Sequence, residues 1–434
     1  MTNATAPLKA FTEDAQTGPF GSQLHSEEYI EDGIPVINPS NIKDGRLIAD
    51  QFSTVSAETA IRLKVHRLRA GDLVFARRGE LGRAAVVCKE EEGWLCGTGS
   101  IRVRANHDQL DPHFAGYALQ SAEIRSYFTQ RAVGSTMGNL NTSIVLGAPI
   151  PDVPLEEQCR IADFLDAETA RIDRLVRARE AQISLLGQRL AQLVDGVVAG
   201  ELEVLDSIGT QVDSGNWGHG KISRFCEVIP GYAFPSSAFV TDGSGIRLLR
   251  GINVGVGDLV WEDVVSWDTA TYPVPDRFHL RAGDLVLGMD RPWISSGMRI
   301  TLIDESHVPA FLLQRVACLR SKSPNINMHF IHWVLRSSQF RLGVESEMTG
   351  VSVPHLSGEQ IGRFAFSLPA LDEQTRLAAS LEGHDSSTRR LQAAMTKQVS
   401  LLTERRHALI TAAVTGQFDV STASGRNVTD GVSA

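Results

Sequence analysis

Three arginines fall within seven residues, beside two glycines, and their side chains could bind nucleic acid. Arg77, Arg78 and Arg83 lie in a segment between two short apolar runs. A guanidinium group can donate two parallel hydrogen bonds to the edge of a guanine, and burying three such groups without partners would be costly. We therefore interpret the segment as a solvent-facing loop that contacts DNA. The alternative is a set of surface ion pairs with Glu80 or with residues 90–92.

Polar residues elsewhere in the chain extend this set of candidates. Asn and Gln suit adenine, whereas Ser, Thr and Lys commonly hold phosphate. In the first half the further candidates for DNA binding are Ser135, Thr136, Asn139 and Asn141. In the second half they are Asp290, Arg291, Ser295, Ser296, Thr349, Ser352 and His355. Trp293 lies among them, and we interpret it as a core residue. The sequence predicts no catalytic residue and no metal ligand.

The chain contains two copies of one sequence pattern. Residues 68–74 recur unchanged as residues 280–286, at an offset of 212. Further along, residues 156–158 match residues 372–374, at an offset of 216. A repeat of this length is typical of duplicated domains rather than of a solenoid, whose units have ~20 to 50 residues. The sequence therefore predicts two mixed domains, each followed by a helix.

Short apolar runs predict the elements of each mixed domain. Val74–Phe75 and residues 84–87 lie on either side of the arginine segment, as expected of paired strands joined by a loop. Larger apolar residues then recur at helical intervals, and we expect them to form the core rather than a platform for stacking bases. They are Phe114, Tyr117, Ala118, Ile124 and Phe128 in the first copy and Phe330, Val334, Leu335 and Phe340 in the second.

Each mixed domain leads into a long segment without proline. The first begins at Leu155, with acidic residues in its first turn, and stops at Gly200. In both segments the apolar residues follow the 3,4 spacing of a coiled coil, interrupted by one arginine. The predicted pairing residues are Leu165, Ile172, Val176, Ile183, Leu186, Leu190 and Leu193 in the first helix and Met395, Val399, Leu402 and Leu409 in the second.

The second segment contains residues that favour a break. Gly383, Asp385, Ser386 and Ser387 predict an interruption, with Ser or Asp capping a fresh helix that runs to Gly416. We expect the two helices to pair antiparallel, and the alternative is that each packs only against its own mixed domain. A helix of ~43 residues is ~64 Å long and could act as a spacer.

The predicted fold class is α+β. Two duplicated mixed α/β domains are separated by two long helices that form an antiparallel coiled coil, with pseudo-two-fold symmetry. The predicted boundaries are 1–153 for the first domain, 154–200 for the first helix, 201–216 for a linker, 217–368 for the second domain, 369–418 for the second helix and 419–434 for a flexible tail.

Composition limits the classes of function. The net charge of −9 over 434 residues argues against DNA binding by the surface as a whole, because phosphate binding needs Lys and Arg. Residues 61–104 nevertheless contain ten Lys or Arg and five Asp or Glu, so a basic face could exist. No apolar run approaches the ~18 residues that span a bilayer, and no secretory signal is evident, so we expect a cytoplasmic protein. The five cysteines are scattered and predict buried thiols rather than zinc ligands.

The sequence resembles the specificity subunits of type I restriction-modification systems over nearly its whole length. The resemblance lies in residues 149–158 with the apolar residues that follow them, in residues 415–419, and in Gly18–Ser22 and residues 71–74. The approaches to the two helices, Pro151–Pro154 and residues 368–371, depart from the usual Pro-Leu-Pro-Pro of the family.

That resemblance implies a protein without catalytic activity of its own. It implies two target-recognition domains that read a bipartite, asymmetric site in double-stranded DNA, and two conserved helical regions that dock modification methyltransferase subunits. Translocase-nuclease subunits are further partners in a restricting assembly. S-adenosylmethionine is expected in the methyltransferase subunit, and no cofactor is expected in this chain.

Two other functions remain as alternatives. Scattered Asp and Glu could form a metal-dependent DNA endonuclease site, and a duplicated chain could be an interaction scaffold that binds no DNA. The nearest approach to a methyltransferase motif, residues 38–41, lacks the aromatic residue and is typical of a turn. The glycine-rich residues 215–220 lack the Lys-Ser or Lys-Thr ending of a phosphate-binding loop.

Overall fold

The protein divides into two compact units in a computed structural model. The first comprises Met1–Glu180 and Thr396–Ala434, and the second comprises Ala181–Met395. The structure describes residues 3–43, 45–79, 82–132, 139–201, 217–270, 272–348 and 354–422. Each unit contains one mixed domain together with part of each long helix.

The first unit begins with the first mixed domain. Its elements, followed by the first long helix, are β1 (Thr5–Pro7), β2 (Thr12–Thr17), β3 (Tyr29–Ile30), β4 (Ile34–Ile37), β5 (Ile42–Lys43), β6 (Arg46–Leu47), β7 (Thr54–Val55), α1 (Ala57–Arg62), β8 (Leu73–Ala76), β9 (Ala84–Val86), β10 (Leu95–Cys96), β11 (Ser100–Ala105), α2 (Pro112–Ala118), α3 (Ala122–Arg131), α4 (Thr142–Leu146), β12 (Pro149–Pro151) and α5 (Leu155–Ala199).

An antiparallel sheet forms the centre of the first mixed domain. Its strands are ordered β2-β11-β8-β9, and Phe75 of β8 lies opposite Ala84 of β9. Helices α2 and α3 bury Phe114 and Phe128 in the same core as Phe75, and the rings of Phe75 and Phe128 meet edge to face at 6.2 Å. The predicted strand pair and the predicted core helices are therefore confirmed.

The second mixed domain lies in the second unit. Its elements, followed by the second long helix, are β13 (Gly218–Lys221), α6 (Ile222–Phe225), β14 (Cys226–Pro230), β15 (Ile246–Leu249), β16 (Ser266–Trp267), β17 (Leu285–Gly288), β18 (Trp293–Ile294), β19 (Gly297–Met298), β20 (Ile300–Leu302), β21 (Ala310–Leu312), β22 (Val316–Ser321), α7 (Met328–Arg336), α8 (Ser338–Glu345), α9 (Gly358–Arg363), β23 (Ala365–Leu368) and α10 (Leu371–Thr415).

The central sheet of the second domain repeats that of the first. Its order is β14-β22-β17-β20, which matches β2-β11-β8-β9 strand for strand. Leu73 pairs with Val86 in the first sheet, and Leu285 pairs with Leu302 in the second. Leu73 and Leu285 are 212 positions apart, whereas Val86 and Leu302 are 216 apart. The second copy therefore has four extra residues between these two strands. These residues accommodate the small hairpin of β18 and β19, which explains why the offset of the repeat changes.

Both long helices run without interruption for 45 residues. The predicted break at residues 383–387 is therefore wrong. The Asp385 carboxylate does not cap a new helix, because it is held by Arg336 at 3.2 Å and by Arg389 at 2.7 Å. Gly383 is exposed, and a glycine inside a helix costs only about 1 kcal/mol relative to alanine.

The two long helices pack together in each unit. In the first unit, Leu165 near the start of α5 shares a core cluster with Leu409 near the end of α10. In the second unit, Val197 near the end of α5 shares a cluster with Leu381 near the start of α10. The helices therefore pair antiparallel, as predicted. No helix in the described part of the chain has the length and apolar character needed to traverse a bilayer.

The predicted pairing residues face inward to different degrees. Leu165, Ile172 and Leu409 are buried where the helices meet the first mixed domain. The other predicted residues are half-buried, namely Val176, Ile183, Leu186, Leu190, Leu193, Met395, Val399 and Leu402. Polar groups also join the two helices, since Arg406 lies 3.1 Å from Asp173 and the Gln392 amide donates to the Ile183 carbonyl at 3.1 Å.

Candidate nucleic-acid interface

The repeated heptapeptide forms a turn that supports each sheet. Gly71 and Gly283 adopt φ values of 85° and 89°, which favour glycine. Two residues earlier, Arg69 donates its backbone N–H to the Asp72 carboxylate at 2.8 Å, and the same carboxylate receives Arg104 at 2.9 and 2.8 Å. The turn holds the sheet together from within, and its buried Asp72 carboxylate is fully engaged by these bonds.

The arginine segment of the first domain lies beside the polar stretch that precedes the long helix. Arg77 is half-buried and donates through Nε to the Leu140 carbonyl at 3.1 Å. The backbone N–H of Leu140 returns a bond of 2.9 Å to the Arg77 carbonyl. Arg78, the next residue, is exposed. The structure thus brings together two segments that are about 60 residues apart in the sequence. Both were chosen as DNA-binding candidates, and they could contact one ligand only if they lie close together.

Arg83 makes a hydrogen bond to a neighbouring turn, and an arginine of the second domain makes the corresponding bond. It donates to the Ile42 carbonyl at 3.3 Å. Arg299 precedes β20 as Arg83 precedes β9, and it donates to the Val254 carbonyl at 3.0 Å. Burial lowers the pKa of Arg299, although Asp290 nearby partly opposes this. Both arginines hold a neighbouring turn, so Arg83 is less available for DNA than Arg78.

The polar stretch of the first domain contributes one helix cap and one group without a described partner. Asn141 caps α4, because its Oδ1 atom accepts the backbone N–H of Ile144 at 2.9 Å and the hydroxyl of Ser143 at 2.7 Å. Asn139 is half-buried, and its Oδ1 atom finds no hydrogen-bond partner among the described residues. Ser135 and Thr136 lie outside the described residues.

In the second domain, the structure joins two candidates directly. His355 Nδ1 lies 2.7 Å from Asp290 Oδ1, and the backbones of the two residues form an isolated bridge. Arg315 donates to the other oxygen of Asp290 at 2.7 Å. Partial burial acts to raise the pKa of the Asp290 carboxyl, but hydrogen bonds with His355 and Arg315 outweigh it and lower that pKa below its ordinary value. Asp290 is therefore an ionised anchor for two neighbouring cationic or polar side chains.

The remaining candidates of the second domain lie in different surroundings. Arg291 is exposed next to Asp290. Ser295 and Ser296 form the exposed tip of the β18–β19 hairpin, and Ser296 lines a cleft beside the long helices within the second unit. Trp293 packs at 6.1 Å from the ring of Phe340, in agreement with its interpretation as a core residue. Thr349 and Ser352 lie outside the described residues.

Sequence reasoning missed Arg315, which completes the Asp290 cluster. It follows a buried strand, in a part of the chain that was not among the candidates. A signal for it exists in the sequence, because at the offset of 216 the residue matched with Arg315 is Gly99. An exchange of glycine for arginine inside a repeated scaffold indicates a position at which the two copies differ in function.

Known proteins share both the sequence pattern and the fold of this chain. Residues 20–185 match the family model for the type I restriction modification DNA specificity domain. The MjaVIII specificity subunit of Methanocaldococcus jannaschii is 24% identical over 365 residues, which cover 83% of this chain and 81% of that protein. The EcoAI specificity subunit of Escherichia coli is 30% identical over 166 residues, which cover 38% of this chain and 28% of that protein.

Solved structures agree with this relationship. A chain solved in work on complex assembly and conformational transition of the type I R-M system superposes with a TM-score of 0.72 at 18% identity, covering 96% of this chain and 98% of that one. In sequence and in fold, the chain is similar to the specificity subunits of type I restriction-modification systems. The HsdS subunit of Thermoanaerobacter tengcongensis has the same fold, with a TM-score of 0.50 at 18% identity over 95% of this chain and 97% of that one.

This similarity indicates the role of the chain. A specificity subunit is the DNA-recognition subunit of its system and not a catalytic one. Two mixed domains and two paired helices are thus present, as the resemblance implied. The recognition domains are called TRD1 (residues 3–153) and TRD2 (residues 217–368) below.

Proposed function

We propose that this specificity subunit reads a bipartite, asymmetric target in double-stranded DNA, one half through TRD1 and the other through TRD2. The observation that carries the proposal is a shared scaffold with different side chains at the same surface. The Arg77–Leu140 backbone contact has its counterpart in Met289 and Leu356, whose N–H donates to the Met289 carbonyl at 2.9 Å. Equivalent backbones therefore present different chemistry to a ligand.

The residues next to these contacts show the difference most clearly. Arg78 and Asn139 in TRD1 correspond to Asp290 and His355 in TRD2, at offsets of 212 and 216. A base is read by the donors and acceptors that meet its edge, so two such different pairs favour two different sequences. An asymmetric target is the expected consequence.

The long helices carry a second duplicated feature, suited to docking partner subunits. Among the described leucines of these helices five are exposed, although leucine is usually buried, and four of the five form two duplicated pairs. Leu175 and Leu391 are separated by 216 positions, and so are Leu185 and Leu401. The exposed fractions of their side chains range from 45% to 64%. We infer that they are apolar anchors for modification methyltransferase subunits, which bind S-adenosylmethionine, and that translocase-nuclease subunits join a restricting assembly.

Each unit contains one leucine of each duplicated pair, and the two lie at a similar height along the helix pair. In the first unit, Leu175 follows Asp173 by two residues and Leu401 precedes Arg406 by five, so in antiparallel helices both lie on the same side of the ion pair between Asp173 and Arg406. At ~1.5 Å per residue, both leucines lie within about 8 Å of that ion pair along the axis. In the second unit, Leu185 follows Ile183 by two residues and Leu391 precedes Gln392 by one, so both again lie on one side of the contact between Ile183 and Gln392.

A domain exchange tests the proposed reading of DNA. Residues 1–153 are replaced by the first recognition domain of another type I specificity subunit, and the chimaera is expressed with the methyltransferase subunit of this system. Sequencing of methylated positions in the host genome should show that one half of the recognition site changes and the other half does not. A change in both halves, or in neither, would contradict independent reading by the two domains.

The same experiment separates the alternatives. A duplicated scaffold that binds no DNA would leave no sequence-specific methylation to map. Within the described part of the chain, no group of three or more His, Cys, Asp or Glu side chains is placed to hold a metal ion, so that part offers no donor set for a metal-dependent endonuclease.

A further inference from the structure

Two arginines in TRD2 have backbone conformations that normally favour glycine. Arg291 has a φ of 44° and Arg315 has a φ of 68°. In this left-handed region the Cβ atom of an L-residue approaches the backbone, and glycine alone avoids the resulting strain. Among the described residues, the one other side-chain-bearing residue with positive φ is Asp32, at 57°.

TRD1 has glycine at both corresponding positions. Arg77 donates its backbone N–H to the Gly99 carbonyl at 2.9 Å, and Met289 donates to the Arg315 carbonyl at the same distance. Gly99 and Arg315 therefore occupy the same site in the two scaffolds. Gly79 and Arg291 each follow those donors by two residues. The φ values of Gly79 and Gly99 are 84° and 86°, so the scaffold imposes a left-handed backbone at both sites whichever residue is present.

Arginine stands in place of glycine at two strained positions of TRD2, and this strain requires an explanation. Packing does not supply it, because the Arg315 side chain is 70% exposed and Arg291 is also exposed. A surface ion pair contributes little to stability, so the contact between Arg315 and Asp290 does not compensate for the strain. Strain that the rest of the fold maintains is often found at ligand-binding sites. The two guanidinium groups are therefore retained for what they bind.

The geometry points to Arg315 as a residue that reads a guanine in the half-site of TRD2, with Arg291 holding an adjacent phosphate. This assignment rests on the proposed function of TRD2. Asp290 receives Nη1 of Arg315 at 2.7 Å and is itself fixed by His355, so the guanidinium plane is oriented before DNA arrives. An oriented guanidinium suits the two acceptors of guanine. Arg291 has no such support from a described carboxylate, and a less constrained cation suits a phosphate.

Glycine substitutions test these roles while they relieve the backbone. The full chain is expressed with its methyltransferase subunit, and a randomised duplex library is selected for binding. We expect Arg315→Gly to lose preference for guanine at one position of the second half-site, by roughly tenfold to a hundredfold. Arg291→Gly should weaken binding to all selected sequences alike and reduce the slope of log affinity against log salt by about one. Neither substitution should lower the midpoint of thermal unfolding.

Two variants serve as controls. Asp32→Gly relieves the same kind of backbone strain in TRD1 and should leave the preference of the second half-site unchanged. Arg277→Ala removes one exposed positive charge from TRD2, where Arg277 lies 3.7 Å from Glu227, and corrects for the general effect of charge.

The outcomes separate this inference from the proposed function. If the wild-type complex selects no sequence, the proposed function itself is wrong. If the wild type selects a bipartite site and Arg315→Gly selects the same site with equal stringency, the inference about Arg315 is wrong and the proposed function stands. An affinity of Arg291→Gly equal to that of Arg277→Ala, at every salt concentration, would overturn the role of Arg291.

Discussion

Asp284 and Arg320 form a buried, two-pronged ion pair in TRD2. Arg320 donates through Nε at 2.9 Å and through Nη2 at 2.7 Å, and the Asp284 side chain is only 3% exposed. Asp284 also accepts the backbone N–H of Arg281 at 2.8 Å. The hydrogen bonds from Arg320 to Asp284 raise the pKa of Arg320 above its ordinary value, although burial partly opposes this. TRD1 repeats the arrangement with Asp72 and Arg104, so the pair belongs to the scaffold and not to target choice.

Loss of this carboxylate should destabilise TRD2 selectively. Asp284→Asn leaves the Arg320 guanidinium without its charged partner, and we expect the free energy of unfolding to fall by about 2 to 4 kcal/mol. Urea unfolding followed by tryptophan fluorescence measures this, since five of the six tryptophans lie beyond residue 216. Asp276→Asn is the control, because Asp276 pairs with Arg281 at 82% exposure and should have little effect. Equal effects of the two substitutions would contradict the argument.

A buried glutamine joins each long helix to the domain before it. Gln374 accepts the backbone N–H of Asn327 at 2.9 Å and donates to the carbonyls of Asn325 and Pro369 at 3.3 and 2.9 Å. Gln158 makes the corresponding three bonds with Asp111, Gln109 and Val153. The shared Glu-Gln pair in the sequence thus marks a junction whose geometry is fixed by side-chain hydrogen bonds.

Removal of this amide should loosen the junction. Gln374→Ala leaves one backbone donor and two acceptors unpaired, and we expect a loss of about 2 to 4 kcal/mol in TRD2 stability. Hydrogen exchange at the first turns of α10 should accelerate more than exchange at its centre. Gln188→Ala, at an exposed position of α5, is the control for loss of a glutamine. Unchanged exchange at the start of α10 in Gln374→Ala would show that apolar packing alone holds the junction.

Much of this architecture could be predicted because it depends on period and repetition. The 3,4 spacing of Leu165, Ile172 and their successors identified the paired helices, and the repeated heptapeptide identified the two domains. The break predicted near Asp385 failed for a tertiary reason. Its carboxylate is engaged by Arg336 of α7, about 50 residues away in sequence, and no local pattern reveals that partner.

The candidate site was less predictable, because burial and register decide it. Arg78 and Arg83 belong to the same sequence segment and are equally plausible candidates there. In the structure, Arg83 donates to the Ile42 carbonyl, whereas Arg78 is exposed. Asn141 is a helix cap whose side chain is already hydrogen-bonded. The sequence offset of 216 matches Arg315 with Gly99, but the cluster that Arg315 forms with Asp290 is visible only in the structure. The choice of DNA-binding residues therefore stays a prediction until the variants above are measured.

The exposed leucines should determine association with the methyltransferase subunit. The double variant Leu175→Ser with Leu401→Ser removes the apolar pair of the first unit, and we expect at least a tenfold weaker affinity at one docking site. Folding should be unaffected, because both side chains are largely exposed. Titration calorimetry with the methyltransferase subunit measures the number of sites and their affinities. Leu371→Ser, an exposed leucine at the start of α10, is the control, and equal binding by both variants would exclude this surface.

A buried histidine should make the stability of TRD2 depend on pH. His332 of α7 is 9% exposed, and its Nε2 atom has no hydrogen-bond partner among the described residues. Burial, and secondarily the charges of Arg336, His329 and Arg389, lower the pKa of His332 to about 3. In the unfolded chain a histidine takes up a proton as the pH falls through about 6.5. In the folded domain, His332 remains neutral at that pH. Its contribution to stability is therefore complete above about pH 6.5 and declines as the pH falls towards 3.

The expected decline is about 1.4 kcal/mol per pH unit between these two values. His332→Leu removes the titrating group and should flatten the dependence of the urea midpoint on pH between 7.5 and 5, as followed by tryptophan fluorescence. TRD1 has Gly116 at the position that corresponds to His332. TRD1 is nevertheless not a suitable reference, because burial lowers the pKa of another of its histidines, His66. The reference is therefore the His332→Leu variant. The same slope in wild type and variant would mean that the folded domain accepts the proton at His332, and that solvent reaches the imidazole.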